Sequence, residues 1–242
     1  MLKALQNSLI PLLYPQNCRV CDSSVDNIDH GVACSECWAA TRVFIGQEML
    51  CTKCGAFFNE SGVKTELYCH KCDDHFYDKA RAAGIYEKAL AVSAIQLKSQ
   101  PHVPAHLKHA LISAFNRNDY ISTSLIVPVP LSRARRHERG FNQAEILAAI
   151  IAKHSSIKLD TSSLARSKHT PIHRVAMDKK ARELTVVNAF EVARPKLISG
   201  KSILLVDDIF TSGATASACA KVLKKNGAVE VNVLTLARAV IR

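Results

Sequence analysis

Apolar and polar residues follow one another along residues 79–242 in a pattern that predicts strands and helices in turn. Short apolar runs between polar, Gly or Pro residues predict strands at 81–87, 124–130, 188–193, 201–208 and 229–237. Longer segments with apolar residues three and four positions apart predict helices at 90–98, 106–115, 141–154 and 213–227. Strands that alternate with helices of this length indicate an α/β fold, with a parallel sheet flanked by helices.

The first 78 residues lack this periodicity and carry eight of the nine cysteines. The eight form four Cys-x-x-Cys pairs, Cys18/Cys21, Cys34/Cys37, Cys51/Cys54 and Cys69/Cys72. Two such pairs supply four thiolates to a closed tetrahedral zinc site, which stabilises a short polar segment that cannot build a core. Because neighbouring pairs are expected to share an ion, we predict one zinc site at the first two pairs and a second at the last two.

Several alternatives to this assignment stay open from the sequence. The pairs could interleave, His70 or His75 could replace a thiol, and an oxidising compartment would favour disulfides instead. Cys219 stands alone in a predicted helix and is expected to be a buried small hydrophobe. The aromatic residues after the second and third pairs are Trp38, Phe44, Phe57 and Phe58. We expect them to form the small core beside the zinc sites, with stacking on bases as the alternative.

The charge of the chain is divided unevenly. Residues 1–78 hold six Lys/Arg against ten Asp/Glu, whereas residues 79–242 hold 26 against 11, a net charge of +15. The basic part is expected to meet an anionic partner, either a polyphosphate ligand or nucleic acid, with a merely soluble basic surface as the alternative. These shifts divide the chain into an N-terminal helix (1–15), a double zinc ribbon (16–78) and an α/β domain (79–242). No apolar run is long enough to span a membrane, so membrane contact is at most peripheral and we expect a cytoplasmic protein.

Two adjacent carboxylates stand where a ligand binds in an open α/β sheet. Asp207 and Asp208 end the predicted strand 201–208, and the loop IFTSGAT leads from them into a helix. Free backbone N–H groups at a helix start, with hydroxyls beside them and a glycine for close approach, suit one phosphate. The loop residues that would bind it are Thr211, Ser212, Gly213, Ala214 and Thr215. The carboxylates suit sugar hydroxyls or a divalent ion. A phosphate-binding loop beside two such acids describes a site for a 5-phosphorylated ribose. The alternative is that the two aspartates cap the turn.

The segment VDDIFTSGAT resembles the 5-phosphoribosyl 1-diphosphate (PRPP) binding motif of type I phosphoribosyltransferases. Together with VPVPLSRARRHERGFNQAEILA (127–148) and the four cysteine pairs, the whole chain resembles the ComF family of competence-associated phosphoribosyltransferase-like proteins. The resemblance implies a type I phosphoribosyltransferase fold at 79–242, with Asp207 and Asp208 on the ribose hydroxyls and Thr211–Thr215 on the 5′-phosphate. It also implies a diphosphate loop with Mg²⁺, whose residues would be Arg133, Arg135, Arg136, Arg139 and Gly140.

A basic segment at 165–182 is predicted to be a mobile loop that acts as a lid over the site. The pattern of the family places Arg182 in this lid, whereas Arg174 stands where the pattern has Gln and Thr185 where it has Asn. His137 and His173 are candidates for a catalytic base and are more simply surface histidines, so no base is assigned.

Three functions are compatible with these residues. The first is a phosphoribosyltransferase with PRPP as ligand and an unassigned acceptor, acting in competence or DNA utilisation. The second is a protein that keeps the fold and the phosphate site but binds single-stranded DNA together with the competence machinery. The third is a regulator that senses PRPP without turnover. No stripe of interleaved aromatic and basic residues supports single-strand binding, so that function depends on charge and resemblance.

Overall fold

The computed structural model of the protein describes residues 15–58, 67–118, 120, 122–167 and 189–240. Its strands are β1 (Lys79–Ile85), β2 (Leu125–Pro128), β3 (Leu164–Arg166), β4 (Phe190–Val192), β5 (Ser202–Phe210) and β6 (Glu230–Arg238). Its α-helices are α1 (Ser35–Ala39), α2 (Lys88–Gln96), α3 (Ala105–Asn116), α4 (Arg133–Arg139), α5 (Gln143–Ser155), α6 (Pro195–Ile198) and α7 (Ala214–Lys225). Two short 3-10 helices lie at Ile28–His30 and at His70–Cys72.

Four strands form a parallel sheet in the order β1-β6-β5-β2, which confirms the predicted α/β class. Side chains of a strand alternate between the two faces, so β5 sends Leu204 and Val206 into one apolar cluster and Ile203 and Leu205 into another. Helices α2, α3 and α5 cover the first face, and α6 and α7 cover the second. β3 and β4 form a separate antiparallel pair.

The cysteine-rich segment covers the outer edge of β1. Residues 42–44 run antiparallel to β1, where Phe44 N–H donates to the carbonyl of Ala83 (2.8 Å) and Ile85 N–H to that of Arg42 (2.9 Å). Because an unpaired edge strand is a template for aggregation, this pairing also protects the sheet. The first two cysteine pairs lie on the α2/α3 face of the sheet and the last two on the α7 face.

The predicted elements differ from the observed ones mainly at their ends. β5 continues two residues past Asp208, because Ile209 and Phe210 still pair with β6. The segment around Arg133–Arg139, expected as a loop, is a helix whose first turn is capped by the Ser132 hydroxyl. Residues 165 and 166 of the region predicted as a lid belong to β3. Residues 168–188, with the candidates Arg174, Arg182 and His173, lie outside the described residues, as does the predicted helix before residue 15.

Candidate functional site

The first four cysteines come together around one point. The Sγ atoms of Cys18, Cys21, Cys34 and Cys37 all lie within 4.8 Å of one another, and those of Cys21 and Cys34 are 3.7 Å apart. The first pair is held in a short hairpin closed by the bridge between Asn17 and Ser24. The N–H of Cys34 donates to the sulfur of Cys18 (3.3 Å), as expected where a thiolate carries charge.

The second four cysteines repeat this arrangement. The Sγ atoms of Cys51, Cys54, Cys69 and Cys72 lie within 4.8 Å of one another, at separations of 3.3 Å for Cys54–Cys69, 3.7 Å for Cys69–Cys72 and 3.9 Å for Cys51–Cys72. A bridge between Leu50 and Phe57 closes the hairpin that carries the first pair. The backbone N–H of Cys69 donates to the sulfur of Cys51 (3.3 Å), as Cys34 does in the first cluster.

Both clusters fit zinc. Four sulfurs about 2.3 Å from a tetrahedral ion are about 3.8 Å from one another, close to the separations observed. Neighbouring pairs share a site as predicted, and all eight thiols are free, which removes the interleaved and disulfide alternatives. The side chain of His70 is 91% exposed and pairs with Asp73, and His75 Nδ1 lies 2.7 Å from the hydroxyl of Tyr77, so neither histidine is needed as a ligand.

The aromatic residues near the clusters have the structural role that we expected for them. Trp38 is buried, its ring centroid lies 4.5 Å from that of His106, and its indole N–H donates to the carbonyl of His30. Phe44 is buried against Phe57, with ring centroids 6.3 Å apart. Cys219 is fully buried in α7, also as expected.

Asp207 and Asp208 lie at the carboxyl end of β5, where a ligand of an open α/β sheet binds. The N–H of Asp208 donates to Asp207 Oδ1 (2.9 Å), and the N–H of Ile209 donates to Asp208 Oδ1 (2.8 Å). Burial, and then the charge of Asp208, raise the pKa of Asp207 well above its ordinary value. Two adjacent acids of which one is hard to ionise are typical of a site that is completed by a cation or by hydroxyl donors.

Lys98 lies beside the acidic pair, a position that the sequence did not reveal. It follows α2, and its Nζ lies 3.8 Å from Asp208 Oδ2, an oxygen of a side chain that is 18% exposed. No motif marks this lysine among the 32 Lys and Arg residues of the chain, because the contact depends on how α2 packs on the sheet. Lys98 supplies the positive charge nearest to the acidic pair among the ion pairs of the described residues.

The predicted phosphate loop connects β5 to α7. Gly213 has φ +85° in the left-handed region and stands directly before the helix, whose first residue is Ala214. Gly213 is buried, whereas Thr211 is exposed and Ser212, Ala214 and Thr215 are partly exposed. The loop thus brings three hydroxyls and the first N–H groups of a twelve-residue helix to the edge of the sheet that carries the acids.

The candidate diphosphate residues follow β2, which is the neighbour of β5 in the sheet. Helix α4 exposes Arg133 and Arg136 and partly exposes Arg135 and Arg139. The guanidinium of Arg136 is paired with Glu145 of α5. Gly140 ends α4 with φ +76°, and a Cβ there would meet nothing within 4 Å, so this glycine serves the helix end rather than close packing.

A cavity of about 380 Å³ lies between the second cysteine cluster and the phosphate loop. Its lining includes the aromatic rings of Phe57, Phe58 and Tyr77 and polar groups of Ser212 and Arg238. This cavity adjoins the loop at Ser212, so a second group could bind next to a phosphate held there.

Comparison with solved structures returns phosphoribosyltransferase-related folds. The chain is similar to adenine phosphoribosyltransferase from Thermoanaerobacter pseudethanolicus, with a TM-score of 0.35 and 14% identity, covering 55% of this chain and 78% of that one. It is likewise similar to glutamine PRPP amidotransferase from B. subtilis, with a TM-score of 0.35 and 16% identity, covering 68% of this chain and 30% of that one.

Sequence comparison adds both a domain and full-length relatives. The family model for the double zinc ribbon domain matches residues 9–73. The chain is 27% identical to the DNA utilization protein YhgH of Escherichia coli K12, covering 94% of this chain and 99% of that protein. It is 27% identical to competence protein F of Haemophilus influenzae (82% and 94%), and 32% identical to competence protein ComFC of Bacillus subtilis over about half of each chain (53% and 54%). The chain is therefore a double-zinc-ribbon homologue of the ComF/ComFC and YhgH DNA utilization proteins.

Proposed function

We propose that this protein binds PRPP at the carboxyl edge of β5 and acts in DNA uptake or DNA utilisation. The observation that carries the proposal is that Asp207 and Asp208 lie near the end of β5, and that a connection of only three residues leads from Phe210, the last residue of this strand, to the start of helix α7 at Ala214. A phosphate loop and a pair of acids on one connection suit a sugar that carries a phosphate on one side and hydroxyls on the other.

Each part of PRPP has a matching group on this edge. The 5′-phosphate would accept hydrogen bonds from the loop Thr211–Thr215 and the first turn of α7. The ribose hydroxyls would donate to Asp207 and Asp208. The diphosphate would lie towards β2 and α4, where the guanidinium groups of Arg133 and Arg139 suit phosphate oxygens.

The acidic pair also fits Mg²⁺. Burial and the Asp208 carboxylate raise the pKa of Asp207, and the Nζ of Lys98 lies 3.8 Å from Asp208 Oδ2. A divalent cation beside the pair would offset more of the negative charge of the two carboxylates. Bound Mg²⁺ would neutralise part of the diphosphate charge. Two carboxylates leave most of the coordination shell to ligand oxygens and water, which is usual for Mg²⁺.

Phosphoribosyl transfer is the reaction that such a site would support, with an unassigned acceptor. A helix of arginines next to the diphosphate would stabilise the leaving group, and the cavity beside Ser212 leaves room for a second reactant. The link to DNA is supported by relatives named for competence and DNA utilisation and by the charge of +15 on residues 79–242.

The second candidate function is single-stranded DNA binding without phosphoribosyl transfer. It is favoured by the arginines of α4, because the exposed Arg133 and the partly exposed Arg139 have no carboxylate partner among the described ion pairs. Such binding depends on released counterions, so its affinity falls steeply as salt rises. The binding of PRPP, held mainly by a few directed contacts, changes less over the same range.

The two functions are separated by measuring both ligands on the same zinc-loaded protein. Calorimetry with PRPP and Mg²⁺ tests the site, and release of diphosphate in the presence of candidate acceptors tests turnover. Fluorescence anisotropy with a labelled oligothymidine at 50 and 200 mM salt tests DNA. Saturable PRPP binding supports the proposal, whereas salt-sensitive DNA binding with no response to PRPP supports the second function.

A further inference from the structure

The residues between the second cysteine cluster and β1 lie along one side of α7. We call residues 75–78, which follow Cys72, the linker. A Cβ on Gly213 would lie 2.9 Å from His75 Cε1, the N–H of Phe76 donates to the hydroxyl of Ser217 (3.1 Å), and Asp78 pairs with Lys224 (2.7 Å). The contacted residues are four and then seven positions apart, close to one and two helical turns, so the linker follows a single face of the helix that begins at the phosphate loop.

Arg238 provides a second connection between the same cluster and the loop. Its guanidinium is buried, donates to the carbonyl oxygen of Cys54 and lies 3.4 Å from the sulfur of that cysteine. It also lies 4.5 Å from the ring centroid of Phe210, the last residue before Thr211. Tyr77 packs edge-on against Phe210, with their ring centroids 5.7 Å apart.

The first cysteine cluster has different neighbours. Trp38 packs on His106 of α3, and the hydroxyl of Thr41 accepts the N–H of Ala89 at the start of α2. Both helices cover the opposite face of the sheet. The two clusters have the same four ligands but support different parts of the fold.

We propose that the second zinc site positions the phosphate loop, with His75 and Arg238 as the positioning residues. This inference rests on the proposed function in that the ligand of the loop is a phosphate monoester, the 5′-phosphate of a phosphorylated ribose. Metal binding fixes Cys54 and Cys72. Those two residues hold Arg238 and the linker against Phe210 and Gly213. A loop ordered in advance loses less entropy on binding, so its affinity is higher.

The test compares His75→Ala with His70→Ala, which removes an exposed histidine of the same segment whose described contacts are with Asp73 and Tyr68. Ribose 5-phosphate and PRPP are titrated by calorimetry, and zinc content and melting temperature are measured alongside. We expect about tenfold weaker binding of both ligands by His75→Ala, with two zinc ions retained, and no change for His70→Ala. His75→Gln, which can still hydrogen-bond Tyr77 and fill the space, should recover most of the affinity. Wild-type affinity in His75→Ala would overturn the inference.

Hydrogen exchange provides a readout that needs no ligand. We expect the amides of residues 211–217 to exchange at least about tenfold faster in His75→Ala than in His70→Ala. A second pair, Cys69→Ser and Cys21→Ser, removes one ligand from the second or the first zinc site, and only Cys69→Ser should loosen this loop. Unchanged exchange in both His75→Ala and Cys69→Ser would refute the positioning role. Faster exchange in a protein that binds neither PRPP nor ribose 5-phosphate would leave positioning intact and refute the proposed function instead.

Discussion

Gly213 packs closely against the imidazole of His75. A methyl group on Gly213 would approach His75 Cε1 to 2.9 Å and Phe210 Cζ to 2.7 Å, closer than real carbon atoms come. The φ of +85° at Gly213 also disfavours any residue with a side chain. The part of the phosphate loop directly before α7 is thus fixed by packing against His75 of the linker as well as by its own backbone conformation.

Gly213→Ala should therefore weaken both the fold and ligand binding. We expect a loss of about 2 to 4 kcal/mol in the free energy of unfolding, combining left-handed strain with overpacking. Gly140→Ala is the matched control, since Gly140 has φ +76° but open space around its Cβ, and should lose only about 1 to 2 kcal/mol. Urea unfolding in the presence of zinc measures both; equal losses would contradict the packing of His75 on the loop.

The periodicity of the chain was sufficient to predict the sheet and its main helices, because buried strands and amphipathic helices leave patterns that depend on local sequence. Cysteine spacing likewise predicted which thiols share a site. The contacts of Lys98, His75 and Arg238 left no such pattern, because they depend on how distant segments pack. The segment Arg133–Arg139 was expected as a loop because its arginines show no apolar periodicity. The cap at Ser132, where this helix begins, is a local signal that hydrophobic periodicity does not detect.

Asp207→Asn should stabilise the protein near neutral pH. The pKa of Asp207 is raised above the unfolded value of 3.8, so the folded state binds the extra proton and this group lowers stability as pH rises above about 4. We expect the variant to be more stable than wild type by about 1 kcal/mol at pH 7. The advantage should shrink towards pH 4. Chemical unfolding of both proteins at several pH values gives this difference. Zinc loss at low pH affects both proteins alike and therefore cancels in the comparison. A constant difference would show that Asp207 is not hard to ionise.

The arginines of α4 should not be equivalent. Arg136 pairs with Glu145 and joins α4 to α5, whereas Arg133 is exposed with no carboxylate partner among the described ion pairs. Arg133→Gln should weaken PRPP binding by about tenfold at unchanged stability, since a charge-assisted bond to phosphate is worth about 1.5 kcal/mol. Arg136→Gln should lower stability by about 0.5 kcal/mol and affect binding less. Calorimetry and thermal melting measure the two effects, and unchanged PRPP binding in both variants would place the diphosphate away from α4.

Removing zinc should expose the edge of β1. Residues 42–44, which pair with this edge, lie between the two cysteine clusters, so unfolding of the ribbon would free the strand. We expect a strong chelator to cause association of the protein, visible as a rise in light scattering, and prompt addition of zinc to reverse it. A chelated protein that stays monomeric with an intact sheet would show that the ribbon is not needed as an edge cover. Among the described residues no helix is long and apolar enough to cross a membrane.

The central claim, that Asp207 and Asp208 form a PRPP site with the loop that follows them, is tested most directly by calorimetric titration of PRPP with Mg²⁺. Wild type is compared with the double variant Asp207→Asn/Asp208→Asn, and with Glu191→Gln as a control that removes an exposed acid of β4. The account predicts saturable binding by wild type and Glu191→Gln, and at least about hundredfold weaker binding by the double variant, because two bonds to charged acceptors are lost. Equal binding by all three, or none by a folded wild type that holds two zinc ions, would contradict it.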